Sequence, residues 1–217
     1  MPNNNAPLGS MSFEIELKAW VEDPSSLKAT IDRLCVYNGE FSKDDAYWNP
    51  PDSAAFPAPS LRMRQEQWTD SSGNTSSKTL VTYKAKERRG SLEVNLEQEF
   101  EVSNSATFKG LLSLLKFNIG ISKQKNGWSW KYGSNNPLES KDANAMQDIT
   151  VELSQVASLG WFLELEILSP DRDEDTVKDA QGRLLQLLGL LGIGASRIES
   201  RYYAELLQEK KNGSNPL

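Results

Sequence analysis

Charged residues at every second position of short extended segments are the feature of this chain that most narrows its fold. Residues two apart on a strand point to the same side. In Phe13-Glu14-Ile15-Glu16-Leu17-Lys18, one face is therefore Phe13, Ile15 and Leu17, and the other is Glu14, Glu16 and Lys18. The same sorting recurs in Arg62 and Arg64, in Thr82 with Lys84 and Lys86, in Glu97 with Glu99 and Glu101, in Lys123 and Lys125, and in Glu164 with Glu166. A sheet with one wet face also alternates, but its signs mix along each strand, because nothing forces them to segregate. Here each strand carries mostly one sign. Glu14 beside Glu16, or Glu164 beside Glu166, sets two carboxylates roughly 7 Å apart, which is repulsive unless a cation lies between them. If the strands close into an antiparallel barrel, the charged face lines the interior and the apolar face turns outward beneath helices. An eight-stranded barrel has room for one small ligand. Acidic and basic walls together call for a divalent cation against one and phosphate groups against the other, so the expected ligand is a metal-complexed polyphosphate.

Two absences narrow the chemistry. The chain has no histidine, which excludes imidazole bases and His metal ligands. It has one cysteine, Cys35, which excludes an intrachain disulfide and a Cys zinc site. Any metal must then be bound by oxygen, which selects hard ions such as Mg²⁺, Mn²⁺ or Ca²⁺. Cys35 sits in the helical pattern Leu27, Ile31, Leu34 and reads as a buried apolar residue. A net charge of −6 argues against nucleic acid and anionic membrane as partners. There is no apolar run of the ~20 residues that cross a bilayer and no signal-peptide pattern at the N-terminus, so a soluble, cytoplasmic protein is expected.

The 217 residues suit one domain. Residues 1–11 read as a disordered leader or expression remnant, 12–208 as the folded unit and 209–217 as a disordered tail. Strands are expected over Phe13–Trp20, Leu61–Trp68, Thr79–Lys86, Val94–Val102, Ile121–Lys125, Trp128–Tyr132, Ile149–Leu153 and Phe162–Leu168. Thr69 to Lys78 reads as a hairpin connection, and Asp44 to Ser60, with four prolines, as a loop. Asp23-Pro24 opens a helix through Leu34. Ser105 caps one over Ala106–Leu115, a third runs from Asp173 and Glu174 to Leu191 before Gly192, and a short fourth spans Arg201–Gln208. The fold class is α+β dominated by β: an eight-stranded antiparallel barrel with helices packed outside. The leucine-rich third helix is expected chiefly to pack on the core, with a homodimer surface as its other possible use.

Several motifs together resemble one family. Glu14-Ile15-Glu16-Leu17-Lys18 is similar to the ExExK signature of the CYTH superfamily, the triphosphate tunnel metalloenzymes. In the family's order there follow Tyr47 after an acidic pair, Leu61-Arg62-Met63-Arg64, Leu80-Val81-Thr82-Tyr83-Lys84, Glu99-Phe100-Glu101, Lys123-Gln124-Lys125, Leu159-Gly160-Trp161-Phe162-Leu163-Glu164-Leu165-Glu166 and Tyr203-Ala204-Glu205-Leu206-Leu207. The last two blocks look most like the class IV adenylyl cyclase (CyaB-like) branch. The resemblance implies an eight-stranded tunnel, Mg²⁺ or Mn²⁺ dependence and a triphosphate small-molecule substrate. Two positions depart from it. Lys123-Gln124-Lys125 stands where Lys-x-Arg is usual, which keeps the charge and loses the bidentate guanidinium. Leu153-Ser154-Gln155-Val156 stands where Leu-Asp-x-Val is usual; Glu152, on the same face as Ser154, could supply the missing carboxylate.

The resemblance implies metal ligands among Glu14, Glu16, Glu164 and Glu166, with Glu99 and Glu101 as further acidic lining, and phosphate contacts from Lys18, Arg62, Arg64, Lys84, Lys123 and Lys125. Glu16, Lys18 and Lys84 are the catalytic candidates. With no histidine, the attacking oxygen must be activated by the metal, a carboxylate or a lysine. The first expectation is cyclisation of ATP to cyclic AMP and pyrophosphate. The alternatives are a triphosphatase acting on thiamine triphosphate, a nucleoside triphosphate or inorganic tripolyphosphate, and a non-catalytic polyphosphate- or nucleotide-binding module. Trp48, Phe56 and the proline-rich loop are candidates for a nucleoside-holding mouth.

Overall fold

The period-two alternation closes into a ring. A computed structural model describes residues 12–51, 60–85, 87–133 and 149–213. Its strands are β1 (Ser12–Val21), β2 (Val36–Asn49), β3 (Ser60–Asp70), β4 (Thr75–Ala85), β5 (Arg88–Arg89), β6 (Leu92–Glu101), β7 (Asn118–Tyr132), β8 (Ile149–Val156) and β9 (Gly160–Ser169). In the order β1-β9-β8-β7-β2-β3-β4-β6 each long strand pairs with the next, and β6 pairs back onto β1. All pairings are antiparallel, so the result is a closed eight-stranded barrel; β5 only extends one side of β6.

The outward face carries the core. Ile15, Leu17 and Ala19 of β1, Leu163, Leu165 and Ile167 of β9 and Val151 and Leu153 of β8 are buried under α1 (Pro24–Leu34) and α3 (Glu174–Leu190). From α3, Leu184, Leu187 and Leu188 are spent on this contact. Each fully buried Leu or Ile contributes roughly 1.5–3 kcal/mol, so the interior is left free for charge. A second cluster, Trp48, Met63, Val81 and Leu112, lies under α2 (Ser105–Leu114). A third joins Phe162, Tyr203 and Leu206, with Trp20 against them, where α4 (Tyr203–Lys211) packs across one end of the barrel. Cys35 is half-buried against the main cluster, and burial pushes its thiol up to about 12.

Helix starts follow local chemistry. Asp23 accepts from Ser26 N, and Asp173 accepts from Thr176 N. The cap of α2 is Asn104, accepting from Thr107 N, one residue before the expected Ser105. Gly192, at φ +77°, follows α3 as a left-handed stop.

Three expectations are corrected. The segment read as a loop from Asp44 is strand through Asn49, part of a 14-residue β2 that pattern reading missed. Its polar run Ser42-Lys43-Asp44-Asp45 has no apolar alternation to announce it. The two expected strands Ile121–Lys125 and Trp128–Tyr132 are one, β7, running straight through Asn126-Gly127. That pair resembles a turn signal, but glycine is required for another reason: a Cβ there would lie 2.3 Å from Leu153 O and 2.6 Å from Ser154 Cβ. The Thr69–Lys78 connection shrinks to a tight turn, with the Asp70 carboxylate accepting from Ser72 N and Asn74 N and Gly73 at φ +86°. At the C-terminal end, α4 reaches Lys211. The expected leader, the last four residues of the expected tail, Phe56 and Lys86 lie outside the described residues.

Candidate active site

The strands bring the predicted charged residues together in one cavity of about 760 Å³ inside the barrel. Its lining includes Glu14 and Glu16 from β1, Arg62 and Arg64 from β3, Lys84 from β4, Glu99 from β6, Lys123 and Lys125 from β7 and Glu164 and Glu166 from β9. Lys18 lies deeper on the β1 face and is 2% exposed. Glu101, at the end of β6, is exposed and lines a shallow outer depression instead. Trp48 is not at a mouth: it is buried on the outer face under α2.

Most of the basic side chains are held by carboxylates on facing strands. Lys84 Nζ lies 2.8 Å from Glu14 and 2.5 Å from Glu97. Arg64 forms a two-point bond to Asp45, at 2.7 and 3.0 Å, and Lys123 approaches the same carboxylate at 3.2 Å. Lys125 contacts Glu152 at 2.7 Å and also Glu164, while Lys43 bonds the other oxygen of Glu152 at 2.7 Å. Lys18 donates to Glu93 at 2.8 Å. Arg62 donates to Thr82 at 3.0 Å and lies 3.5 Å from Glu99.

Burial and charge then pull the carboxylates apart. Burial by itself would raise Asp45, but Arg64 and Lys123 hold it well below the usual carboxylate range. Glu97, likewise buried, is brought down to about 2 by Lys84 and Arg62. Glu152 is lowered against its burial by Lys125 and Lys43. On β1 and β9 the direction reverses for two residues. Glu166 is pushed up to about 8 by burial and by Glu14 and Glu16, and Glu16 is raised by burial and by Glu93. Neither Glu16 nor Glu166 has a basic partner within ion-pair distance among the described residues.

This is the wall at which a cation would fit. Its donors are all carboxylate oxygens, as a hard divalent ion requires. As the side chains stand, no three acidic residues among those described are grouped to hold an ion; Glu14 is paired with Lys84 and Glu164 with Lys125. The cavity lining nevertheless carries nine acidic side chains against seven basic ones.

Several residues in or directly behind the cavity lining escaped the sequence reading. Lys43 and Asp45 belong to the missed strand, whose other face is marked as apolar only by Ala46 and Trp48, beyond the polar run. Glu93 precedes the expected start of β6, although Leu92, Val94 and Leu96 already alternate with Glu93, Asn95 and Glu97. Glu97 stood on a charged face without a role. Glu152 does sit inside the tunnel, and Ser154, at the position where Asp is usual, is fully buried with no partner for its hydroxyl among the described residues. Tyr202 and Tyr203 also reach the cavity, brought there by α4.

A model of the CYTH domain matches residues 12–203. No curated protein matches the sequence. Among solved structures, the PH1819 protein of Pyrococcus horikoshii OT3 superposes with a TM-score of 0.72 at 24% identity, covering 91% of this chain and 99% of that one. A candidate adenylate cyclase from Vibrio parahaemolyticus gives 0.66 at 17% identity, over 90% and 98% of the two chains. HpAC1 from Hippeastrum, a candidate adenylyl cyclase with a dominant triphosphatase activity, gives 0.55 at 14% identity, over 94% and 97%. At these identities the likeness speaks for the fold.

Proposed function

Since the chain belongs to the CYTH domain family, whose members typically act on triphosphates, we propose that it is a divalent-metal-dependent triphosphatase that takes the phosphate chain into the barrel and attacks its terminal phosphorus with water. The observation that carries this reading is the lining itself: nine acidic and seven basic side chains in one cavity, with α4 packed across one end of the barrel.

Each wall has a task. Arg62, Arg64, Lys84, Lys123 and Lys125, with Lys18 below them, give up part of their carboxylate contacts to phosphate oxygens, where they neutralise the charge that develops in transfer. Glu14, Glu16 and Glu166 would hold Mg²⁺ or Mn²⁺, with Glu164 next to them on β9 and Glu99 as further acidic lining on β6. When bound, the ion supplies charge neutralisation on the phosphates and acidifies a water. Glu16, on the wall that would hold the ion, is placed to accept a proton from the attacking water. Lys84 lies between Glu14 and Glu97, where it can follow the phosphate without leaving both carboxylates. No side chain needs to act as a covalent nucleophile.

A second reading is cyclisation of a nucleoside triphosphate. Leu80, Phe100 and Leu168 give the cavity an apolar border, and Phe100 and Leu168 are about half exposed, 54% and 50%. Such a border can take a base while the ribose 3′-hydroxyl attacks the α-phosphorus.

The test is incubation of the protein with Mg²⁺ or Mn²⁺ and, in parallel, inorganic tripolyphosphate, thiamine triphosphate and ATP, with cyclic nucleotide, pyrophosphate and orthophosphate resolved and Glu16→Ala as control. Orthophosphate that disappears in the control is the expected result. Cyclic AMP with pyrophosphate would replace this reading by the cyclase. Absence of turnover with every substrate would leave a polyphosphate-binding module.

A further inference from the structure

At one end of the cavity sits a polar group with no hydrogen-bond partner among the described residues. Tyr203, the first residue of α4, is 8% exposed and lines the cavity. Its ring meets Phe162 edge-on with centroids 4.9 Å apart, and Phe162 in turn lies 4.2 Å from Trp20. The ammonium groups of Lys18 and Lys123 each lie 4.7 Å from the Tyr203 ring centre. The phenol oxygen itself is buried and has no hydrogen-bond partner among the described residues.

Stability does not account for that hydroxyl. A phenylalanine would keep the contacts with Phe162 and Leu206, and it would avoid burying an unpaired donor. The hydroxyl is therefore an unused donor on a ring that two ammonium groups approach. A phenol and two cations suit a phosphate group, with its several charged acceptors, better than a base or a sugar. The phenol is also kept as a donor: burial and the nearby Glu16 and Glu93 hold its ionisation well above the usual tyrosine range.

We propose that the Tyr203 hydroxyl seats the terminal phosphate of the substrate at the α4 end of the tunnel, beside Lys18 and Lys123. This rests on the triphosphate reading above and adds to it a depth stop. How far the phosphate chain enters is set by a residue of α4 rather than by the barrel wall.

The experiment is calorimetric titration of the wild type, Tyr203→Phe and Leu206→Ala with inorganic tripolyphosphate in the presence of Mn²⁺, together with a thermal melt of each. Tyr203→Phe is expected to melt no lower than the wild type and to bind about 10- to 100-fold more weakly, as loss of a hydrogen bond to a charged group predicts. Leu206→Ala loosens α4 without touching the hydroxyl; it is expected to melt lower and keep the wild-type affinity. Equal binding by Tyr203→Phe and wild type would overturn the seating role and leave the triphosphate reading intact. A loss in Leu206→Ala as large as in Tyr203→Phe would overturn it too, by assigning the effect to helix packing. A wild type that does not bind tripolyphosphate would bring down both.

Discussion

Glu16 and Glu166 stand directly opposite each other on the neighbouring strands β1 and β9, both inside the tunnel. Neither has a basic partner within ion-pair distance among the described residues, whereas the acids around them do: Glu14 pairs with Lys84, and Glu93 with Lys18. Two facing carboxyl groups without a counter-charge cannot both ionise cheaply, and burial together with this repulsion pushes Glu166 up to about 8. A divalent cation would convert that repulsion into attraction.

Mn²⁺ or Mg²⁺ is therefore expected to raise the melting temperature of the protein. At a concentration about 100 times the dissociation constant the gain is about 2.7 kcal/mol, or on the order of 5–10 °C for a domain of this size. Glu166→Gln is expected to raise the melting temperature of the metal-free protein and to remove most of the metal-dependent shift. A thermal-shift series with and without chelator reads both effects, and an unchanged metal response in the variant would remove Glu166 from the ion's ligands.

Asp45 holds two cations, Arg64 through two bonds and Lys123 through one contact, and its carboxylate is fully buried. Asp45→Asn leaves buried charge without its partner, which costs about 3–5 kcal/mol. By contrast, Glu66→Gln breaks a pair whose Lys78 is 44% exposed, and is expected to cost less than about 1 kcal/mol. Urea denaturation of the two variants should separate them clearly.

Gly127→Ala tests the reading of β7 as one continuous strand. The added methyl would meet the Leu153 carbonyl and the Ser154 side chain of β8. Overpacking of this kind costs about 1–3 kcal/mol or more. If Asn126-Gly127 were instead an open turn, the substitution would be close to neutral in the same denaturation assay.

The junction before α4 should be acid-sensitive. Glu199 is buried and accepts from Arg201 and from the Trp20 indole. Burial would raise its pKa, but these bonds bring it from 4.5 down to about 2. Because the folded value is depressed, the stabilisation is complete above about pH 4.5 and is lost as the pH falls toward 2. A plot of melting temperature against pH is expected to fall over that window in the wild type and to flatten in Glu199→Gln.

The inward charged face was legible because alternation is local. Each of Glu14, Glu16, Arg62, Arg64, Lys84, Lys123 and Lys125 could be sorted to one side of its strand from its immediate neighbours. Lys43 and Asp45 could not be placed so easily, since the polar residues around them obscure the period and the prolines beyond suggest a loop. Gly127 misled for the opposite reason. Its role is to admit a neighbouring strand, and that neighbour is 26 to 27 residues away in the chain.

By itself, then, the sequence determined which residues alternate, where the helices begin and that any metal ligand must be an oxygen. Only the tertiary structure decided who faces whom. Pairing of β4 with β6 sets Lys84 beside Glu97, closure of β6 onto β1 brings it to Glu14, pairing of β1 with β9 sets Glu16 against Glu166, and the ring turns eight half-charged strands into one cavity. The packing of Tyr203 and Leu206 on Phe162 then places α4 across one end. The physical reason is that a strand's faces are set by the geometry of single residues. Register, closure and the end of the tunnel are set by the burial of an apolar surface contributed by segments far apart in the chain.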